Sequence, residues 1–112
     1  MKLTVNKDAV LEGLQKVQSI VSTRSTLPVL YNVYLKAEKD RLWLTSTDLE
    51  VTVRTSVDAK IARTGGTTLP ARRVFSIFKE LPANEIEIDV DDKDTASIRA
   101  GASFFKILGI SE

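Results

Sequence analysis

The chain has 112 residues, of which 43% are hydrophobic and 28% charged, and its formal net charge is +1. This length and balance predict one folded domain and exclude an intrinsically disordered chain. The sequence contains no cysteine and no histidine, which excludes disulfides, thiolate catalysis, cysteine-based zinc sites and the commonest general base. Carboxylates and lysines remain available, so an enzyme is disfavoured but not excluded.

The hydrophobic residues are spread along the chain in short runs. No run approaches the roughly 20 residues needed to cross a bilayer, and the first residues contain no apolar core of a secretory signal. These features predict a cytoplasmic protein with no membrane partner.

Charge is distributed unevenly along the sequence. Residues 1–82 contain 13 Lys+Arg and 8 Asp+Glu, a balance of +5, whereas residues 83–112 contain 3 and 7, a balance of −4. Such a pattern is compatible with a basic surface that attracts a polyanion, but charge alone favours an ordinary mixed surface.

The first predicted elements are a short strand at Met1–Val5 and a helix. Asn6 suits a helix N-cap, and Asp8 lies in the first turn, where the helix dipole favours an acid. Apolar residues then recur at helical spacing, at Val10, Leu11, Leu14, Val17 and Val21.

After a linker at residues 23–28, the hydrophobic period changes to two, which predicts strands. The residues expected to face the core are Val33, Leu35 and Ala37, then Leu42 and Leu44 with Trp43 on the opposite face, then Leu49, Val51 and Val53. Residues 57–62 are predicted to form a further extended piece, and Gly65-Gly66 predicts a turn.

A second helix is predicted from about Ala71 to Leu81, ended by Pro82. Its apolar stripe consists of Val74, Ile77, Phe78 and Leu81. Two alternating strands follow, separated by a turn at residues 91–94, with Ile86, Ile88, Val90, Ala96, Ile98 and Ala100 facing inward. A last strand is predicted over residues 103–110.

This order of elements predicts an α+β domain with two helices packed on one face of a mostly antiparallel sheet. The last strand is apolar on both faces, with Phe104, Phe105, Ile107, Leu108 and Ile110. Two interpretations stay open. The strand is either a core strand covered on both sides or an edge strand that pairs with another domain or subunit.

No residue pattern indicates catalysis. Asp48 and Glu50 share a strand face, but no base or nucleophile accompanies them. Gly65-Gly66 lacks the residues of a phosphate-binding loop. The acidic run at residues 89–94 lacks the glycine and distal glutamate of a calcium loop, so it is interpreted as a solvated hairpin tip. The sequence therefore predicts no catalytic residue, no metal site and no cofactor.

Basic residues cluster on the two predicted helices and the linker, at Lys7, Lys16, Arg24, Arg72, Arg73 and Lys79. If both helices pack on the same side of the sheet, these cations form one surface that contacts phosphates without reading sequence. Each cation taken alone is better explained as a solvated helix charge. The few aromatic residues are not interleaved with the basic ones, so base stacking is not supported.

Four short segments resemble one protein family, the bacterial DNA sliding clamp, which is the beta subunit of DNA polymerase III. They are the opening Met1–Val5, the segment Arg24–Asn32 (RSTLPVLYN), the segment Thr45–Glu50 (TSTDLE), and Thr68–Arg73 (TLPARR) followed by Leu81-Pro82. Their order and spacing extend over nearly the whole chain. Residues 1–112 are therefore identified as resembling the first, N-terminal domain of a sliding clamp.

The resemblance implies a non-catalytic processivity factor. In the family, three domains of one fold form a subunit, and two subunits join head to tail into a ring around duplex DNA. Helices line the channel, and the ring tethers the replicative polymerase. The implied partners are duplex DNA, a second clamp subunit, the polymerase and the clamp loader.

Site residues follow from the same resemblance. Arg24 and Arg72 resemble DNA-facing residues, and Lys7 and Lys16 are added from their place on the first helix. Residues at the subunit interface are matched by Arg73, Ile77, Phe105 and Ile107, with the last strand extending a sheet of the other subunit. Where some relatives have basic residues, this sequence has Ala102 and Phe104, which implies an interface with fewer ion pairs.

The family's pocket for polymerase and clamp-loader peptides belongs to domains that these 112 residues do not include. An alternative function therefore stays open: a small protein-interaction module that uses its exposed apolar last strand and has no role on DNA.

Overall fold

The computed structural model describes residues 1–18, 32–47, 52–81 and 84–109. These described residues form two helices, α1 (Lys7–Gln18) and α2 (Ala71–Glu80), and eight strands. The strands are β1 (Lys2–Asn6), β2 (Asn32–Glu38), β3 (Arg41–Thr47), β4 (Thr52–Arg63), β5 (Gly65–Pro70), β6 (Glu85–Val90), β7 (Thr95–Ala100) and β8 (Ser103–Leu108). The α+β class predicted from the sequence is confirmed.

All eight strands belong to one antiparallel sheet, in the order β5-β2-β3-β4-β1-β6-β7-β8. β1 lies in its interior, since Leu3 is opposite Ile61 of β4 on one side and Ile88 of β6 on the other. β5 and β8 are the two ends of the order. Each of them pairs with a single strand among the described residues, β2 and β7 respectively.

α1 begins where the sequence predicts. The side-chain oxygen of Asn6 accepts a hydrogen bond from the backbone N–H of Ala9 at 3.0 Å, which is the bond of an N-cap. Val10, Leu14 and Val17 are buried on one face. Val21, the last predicted member of the apolar stripe, lies outside the described residues.

α2 follows β5 directly. Pro70 occupies its N-cap position and provides no side-chain hydrogen bond, and the first turn contains no acidic residue. Ala71, Val74 and Phe78 are buried, whereas the predicted stripe residue Ile77 is only partly buried. The two helices contact each other and lie on the same face of the sheet, α1 against β1, β3 and β4 and α2 against β2 and β5.

The core lies between this helix layer and the inward face of the sheet. Alternate residues of β1, β2, β3, β5, β6 and β7 are buried, as the period of two predicts, whereas β4 has no buried residue and β8 has one, Ile107. The largest fully buried side chains are Leu3, Leu14, Leu35, Leu42, Leu44, Leu69, Phe78, Leu81, Ile86, Ile88 and Ile98. No helix in the described ranges is long and apolar enough to span a membrane.

Two predicted boundaries were wrong. The separate strands expected around Val53 and Val57 form one strand of 12 residues, β4, because its first part pairs with β3 and its second part with β1. Gly65-Gly66 does not form the turn itself but begins β5, with Gly65 at a φ of 151°. Leu49 and Val51 lie outside the described residues.

Candidate nucleic-acid interface and sheet edge

Arg72 and Arg73 extend from the first turn of α2 into solvent. Neither forms an ion pair with any acidic residue in the described part of the chain. Since this helix end has no acidic residue and no side-chain cap, its unsatisfied N–H groups add to the positive potential of the two guanidinium groups. This end of α2 is therefore suited to contact a phosphate without sequence preference.

Lys7 is engaged inside the domain. Its ammonium group donates a hydrogen bond to the backbone carbonyl of Leu81, just after α2, and its backbone N–H donates to the carbonyl of Asn84 at 2.7 Å. The contact joins the start of α1 to the end of α2. The expected DNA contact of Lys7 stays a prediction. In the structure, its ammonium group stabilises the packing of α1 against the end of α2.

Lys16 lies on a different side of α1. It is exposed, forms an i,i+4 ion pair with Glu12 at 3.6 Å, and borders a groove between α1 and β4 that also contains Arg41 and Asp58. The structure does not bring it together with Arg72 in any described cavity. Arg24 lies outside the described residues, as do Asp48 and Glu50. The predicted DNA-facing residues are thus only partly located.

The edge strand β8 exposes large apolar groups. The exposed fractions are 48% for Phe104, 38% for Phe105 and 77% for Leu108. Ile107, in contrast, is 4% exposed and belongs to the core of this domain, so it has little surface left for a partner. The described structure therefore favours the edge-strand interpretation over a strand covered on both sides.

The four predicted interface residues lie on the helix side of the sheet or on α2 itself. Arg73 and Ile77 are four residues apart on α2, so they share one side of the helix. Ile77 packs against the same core to which Ile107 belongs. Phe105 and Ile107 alternate with the outward residues of β8, which places both on the core side. Their role in an interface stays a prediction.

A cluster on the outer face was not predicted. The Phe104 ring lies 5.4 Å from the Arg99 guanidinium carbon and 5.9 Å from the Lys106 ammonium nitrogen, both within the range of a cation–π contact. Arg99 is directly opposite Phe104 in the β7–β8 pairing. The sequence indicates this pair only if residues 101 and 102 are assumed to form a two-residue turn, because that turn places Phe104 opposite Arg99.

The acidic turn between β6 and β7 has a structural role. The Asp91 carboxylate accepts hydrogen bonds from the N–H groups of Lys93 at 2.8 Å and Thr95 at 3.0 Å. These bonds, first that from Thr95, lower the pKa of Asp91 below its usual value. Among the described residues, no group of three or more acidic side chains is arranged to hold a metal ion.

Solved structures of DNA sliding clamps share this fold. A Caulobacter crescentus pol III beta structure superimposes with a TM-score of 0.93 and 37% sequence identity, over 99% of this chain and 30% of that one. The described residues therefore have the fold of a sliding-clamp domain.

Sequence comparisons narrow the class to one family. The chain matches the model of the DNA polymerase III beta subunit, N-terminal domain, over residues 1–112, and it belongs to that family. It is 41% identical over 109 residues to the beta sliding clamp of Pseudomonas aeruginosa, covering 96% of this chain and 29% of the relative. With that of Chlamydia muridarum it is 33% identical over 112 residues, covering 100% and 31%. The chain thus spans less than a third of these relatives.

Proposed function

We propose that this domain is one segment of a DNA sliding clamp, a ring that encircles duplex DNA and tethers the replicative polymerase without catalysing a reaction. The observation that carries the proposal is the match to the clamp family over the whole chain, together with a superposition of TM-score 0.93 on a clamp structure. The helix layer would face the DNA, and the outer face of the sheet would face solvent.

The proposed contact with DNA is weak and unspecific. Arg72, with Arg24 and Lys16, would contact phosphates through charge alone, and such contacts carry no sequence information. A ring that slides along DNA should make few phosphate contacts, because each contact raises the affinity for DNA and makes that affinity more dependent on salt. The net charge of +1 agrees with such a small number of contacts.

The proposed ring closes through β8. Its free edge would add to a sheet of the second subunit in a head-to-tail arrangement, with Phe105, Arg73 and Ile77 at the contact. Ile107 would support this contact from within the core, given its 4% exposure. The polymerase and the clamp loader would bind the ring through domains outside these 112 residues.

A chimaera tests ring formation directly. This chain would replace the matched N-terminal segment of the Pseudomonas aeruginosa clamp, and the chimaera would be loaded onto nicked circular plasmid by that organism's clamp loader. We expect retention on circular DNA during gel filtration and release after linearisation. As a control, Phe105→Asp should abolish retention, since it places an unpaired charge in the interface. Absence of retention by a folded chimaera would contradict the proposal.

The contribution of Arg72 is measurable with the chain as it stands. In titrations of a fluorescent duplex at several salt concentrations, Arg72→Ala should reduce the salt slope by about 1. Arg54→Ala is the matched control, because Arg54 stacks at 4.5 Å on Trp43 on the outer face. Equal slopes for the two variants would show that the helix face does not bind the duplex.

A protein-interaction module without a DNA role is the second candidate, favoured by the exposed Phe104, Phe105 and Leu108. The two experiments separate the candidates. A module of this kind would bind protein strands through β8, yet its chimaera would leave circular DNA as fast as linear DNA, and neither arginine variant would change duplex binding.

A further inference from the structure

The outer face of β5, β2, β3 and β4 is the side of the sheet turned away from the helices. Its side chains alternate with buried ones, as Trp43 does between Leu42 and Leu44. The strand pairing arranges these outward side chains in rows across the four strands. Two complete rows, called here the outer patch, consist of Gly66, Lys36, Trp43 and Ser56, and of Thr68, Tyr34, Thr45 and Arg54.

The outer patch brings aromatic and basic side chains together. Lys36 of β2 is directly opposite Trp43 of β3. The guanidinium carbon of Arg54, on β4, lies 4.5 Å from the centre of the Trp43 ring, as in a cation–π contact. Tyr34, a second aromatic residue, lies in the neighbouring row. The aromatic residues are not interleaved with the basic residues of the helices, but the strand register combines them with these two other cations.

The charge of the outer patch has one sign. It contains two cations, Lys36 and Arg54, and no acidic residue. Arg54 forms no ion pair with any described carboxylate. Lys36 pairs with Glu38 at 3.2 Å, beyond the patch, but both side chains are well exposed. Such a pair contributes little, so the Lys36 ammonium group can exchange it for a phosphate. The patch is therefore complementary to a polyanion.

The other half of the outer face lacks this property. There, Arg99 and Lys106 line a cavity together with the carboxylates of Glu87 and Asp89. Glu87 is directly opposite Arg99 in the β6–β7 pairing. Cations in that half therefore have acidic neighbours that would repel a polyanion.

The side chains of the outer patch suit a nucleic-acid strand whose bases are accessible. Bases stack on aromatic rings and on the plane of an arginine guanidinium group, and Arg54 on Trp43 offers both surfaces at one place. An acidic peptide would use the cations but not the rings. A duplex would use the phosphate contacts alone, because its bases are already stacked on each other. The combination therefore favours a single strand over both.

We propose that the outer patch binds single-stranded DNA, with bases stacked on Trp43, Tyr34 and Arg54 and phosphates held by Lys36 and Arg54. The choice of DNA over RNA rests on the proposed function, since a clamp acts where one DNA strand is being copied and is locally single. The patch lies on the face opposite the helix layer, so a single strand here would not compete with a duplex on the helices.

Trp43 provides the measurement, because it is the single tryptophan of the chain. Its fluorescence is followed while the chain is titrated with an oligothymidylate of about ten nucleotides. We expect saturable quenching with a dissociation constant on the order of 100 µM at low salt, and weaker binding as salt is added. Absence of saturable quenching up to about 1 mM oligonucleotide overturns the proposal.

Three further nucleic acids define the ligand. A strand of the same length without bases keeps the phosphates, and we expect it to bind at least about tenfold more weakly, because it cannot stack. A duplex of that length should leave the fluorescence of Trp43 unchanged. Equal binding of the strand without bases would contradict stacking. An oligouridylate that binds more tightly than the oligothymidylate would overturn the choice of DNA.

Arg54→Ala tests the patch at an exposed position. It removes both a cation and a stacking surface, so binding of the oligothymidylate should weaken by roughly threefold or more. Arg99→Ala is the matched control, because Arg99 also lies over an aromatic ring on the outer face, that of Phe104 at 5.4 Å, and should bind as the wild type does. Circular dichroism establishes that both variants fold. Equal losses in the two variants would show that the strand is not held at the outer patch.

Trp43→Leu separates stacking from charge. Binding is then measured by the fluorescence anisotropy of labelled strands, since the variant has no tryptophan. The variant keeps both cations, so the strand without bases should bind as it does to the wild type. The oligothymidylate should lose most of its advantage over that strand. An advantage that persists in full would mean that the indole ring does not hold a base.

Failure of this binding would leave the clamp proposal intact, because ring closure depends on β8 and duplex binding on the helix layer. Conversely, a chimaera that leaves circular DNA would not affect the titration of the isolated chain with a single strand. The two outcomes are therefore distinguishable.

Discussion

Ser46 of β3 donates a hydrogen bond from its side-chain hydroxyl to the backbone carbonyl of Val17, in the last turn of α1. Ser46 is 3% exposed and is one of two polar residues found buried in the described chain. The bond provides a donor for a carbonyl near the end of the helix, where no backbone N–H of the same helix is available to donate. It also fixes the end of α1 against the sheet.

Ser46→Ala should lower the free energy of unfolding by about 1–2 kcal/mol, because it removes a buried hydrogen bond and leaves its acceptor without this donor. Urea denaturation followed by tryptophan fluorescence measures the change. Ser97→Ala on the outer face of β7 is the matched control and should alter stability by less than about 0.5 kcal/mol. Similar losses for both would indicate that the Ser46 bond has no net value.

Lys7→Met separates a structural role from a DNA-binding role. It keeps the aliphatic chain but removes the bond to the Leu81 carbonyl, so stability should fall by about 1 kcal/mol. The salt slope of duplex binding should not change. Lys16→Met is the control for stability only, since its ion pair with Glu12 is exposed and contributes little. A changed salt slope with unchanged stability for Lys7→Met would reverse this assignment.

Gly109→Ala should destabilise the domain by about 2 kcal/mol through overpacking. An added Cβ would lie 2.8 Å from the Asp94 carbonyl oxygen and 2.9 Å from that of Thr68, both backbone atoms that cannot rotate away. Gly13→Ala is the comparison, because its nearest atom is the end of the Leu44 side chain at 2.7 Å, and alanine favours the helix by about 1 kcal/mol. Thermal melting should therefore show the larger loss at Gly109.

Asp91 gives stability a dependence on acid pH. Its pKa is lower in the folded state, so the carboxylate stabilises the fold above its usual pKa of about 3.9, and this contribution is lost as pH falls through the folded value. The stability difference between wild type and Asp91→Asn should shrink below about pH 4. A difference that is constant with pH would contradict the assignment.

The sequence was informative where periodicity decides the structure. The inward positions of Val33, Leu35 and Ala37 and the N-cap at Asn6 were predicted because a period of two and a capping residue are local features. The contact of Lys7 with Leu81 joins residues 74 positions apart, and the Arg99–Phe104 pair depends on a strand register. Neither could be read from local pattern, because both arise from how distant segments pack.

In β5, local sequence preference predicts the wrong structure. Gly65 and Gly66 favour a turn by propensity, yet they pair with Ala37 and Lys36 of β2 at the end of the sheet. The tertiary contact outweighs the local preference here. Of the predicted site, the arginines of α2 and the exposed β8 could be located from the sequence. The buried position of Ile107 could not, because an apolar residue on a two-sided strand has no local feature that selects its face.

The interior position of β1 has a consequence for the order in which the domain assembles. Its residues pair with residues of β4 and β6 that come more than 50 positions later in the chain. The strands β2, β3 and β4 are close in sequence and can pair early, whereas β1 gains its second neighbour only when β6 is present. Closing such long loops slows folding relative to local pairing. The two halves of the sheet therefore become one cooperative unit only when β1 is inserted between them.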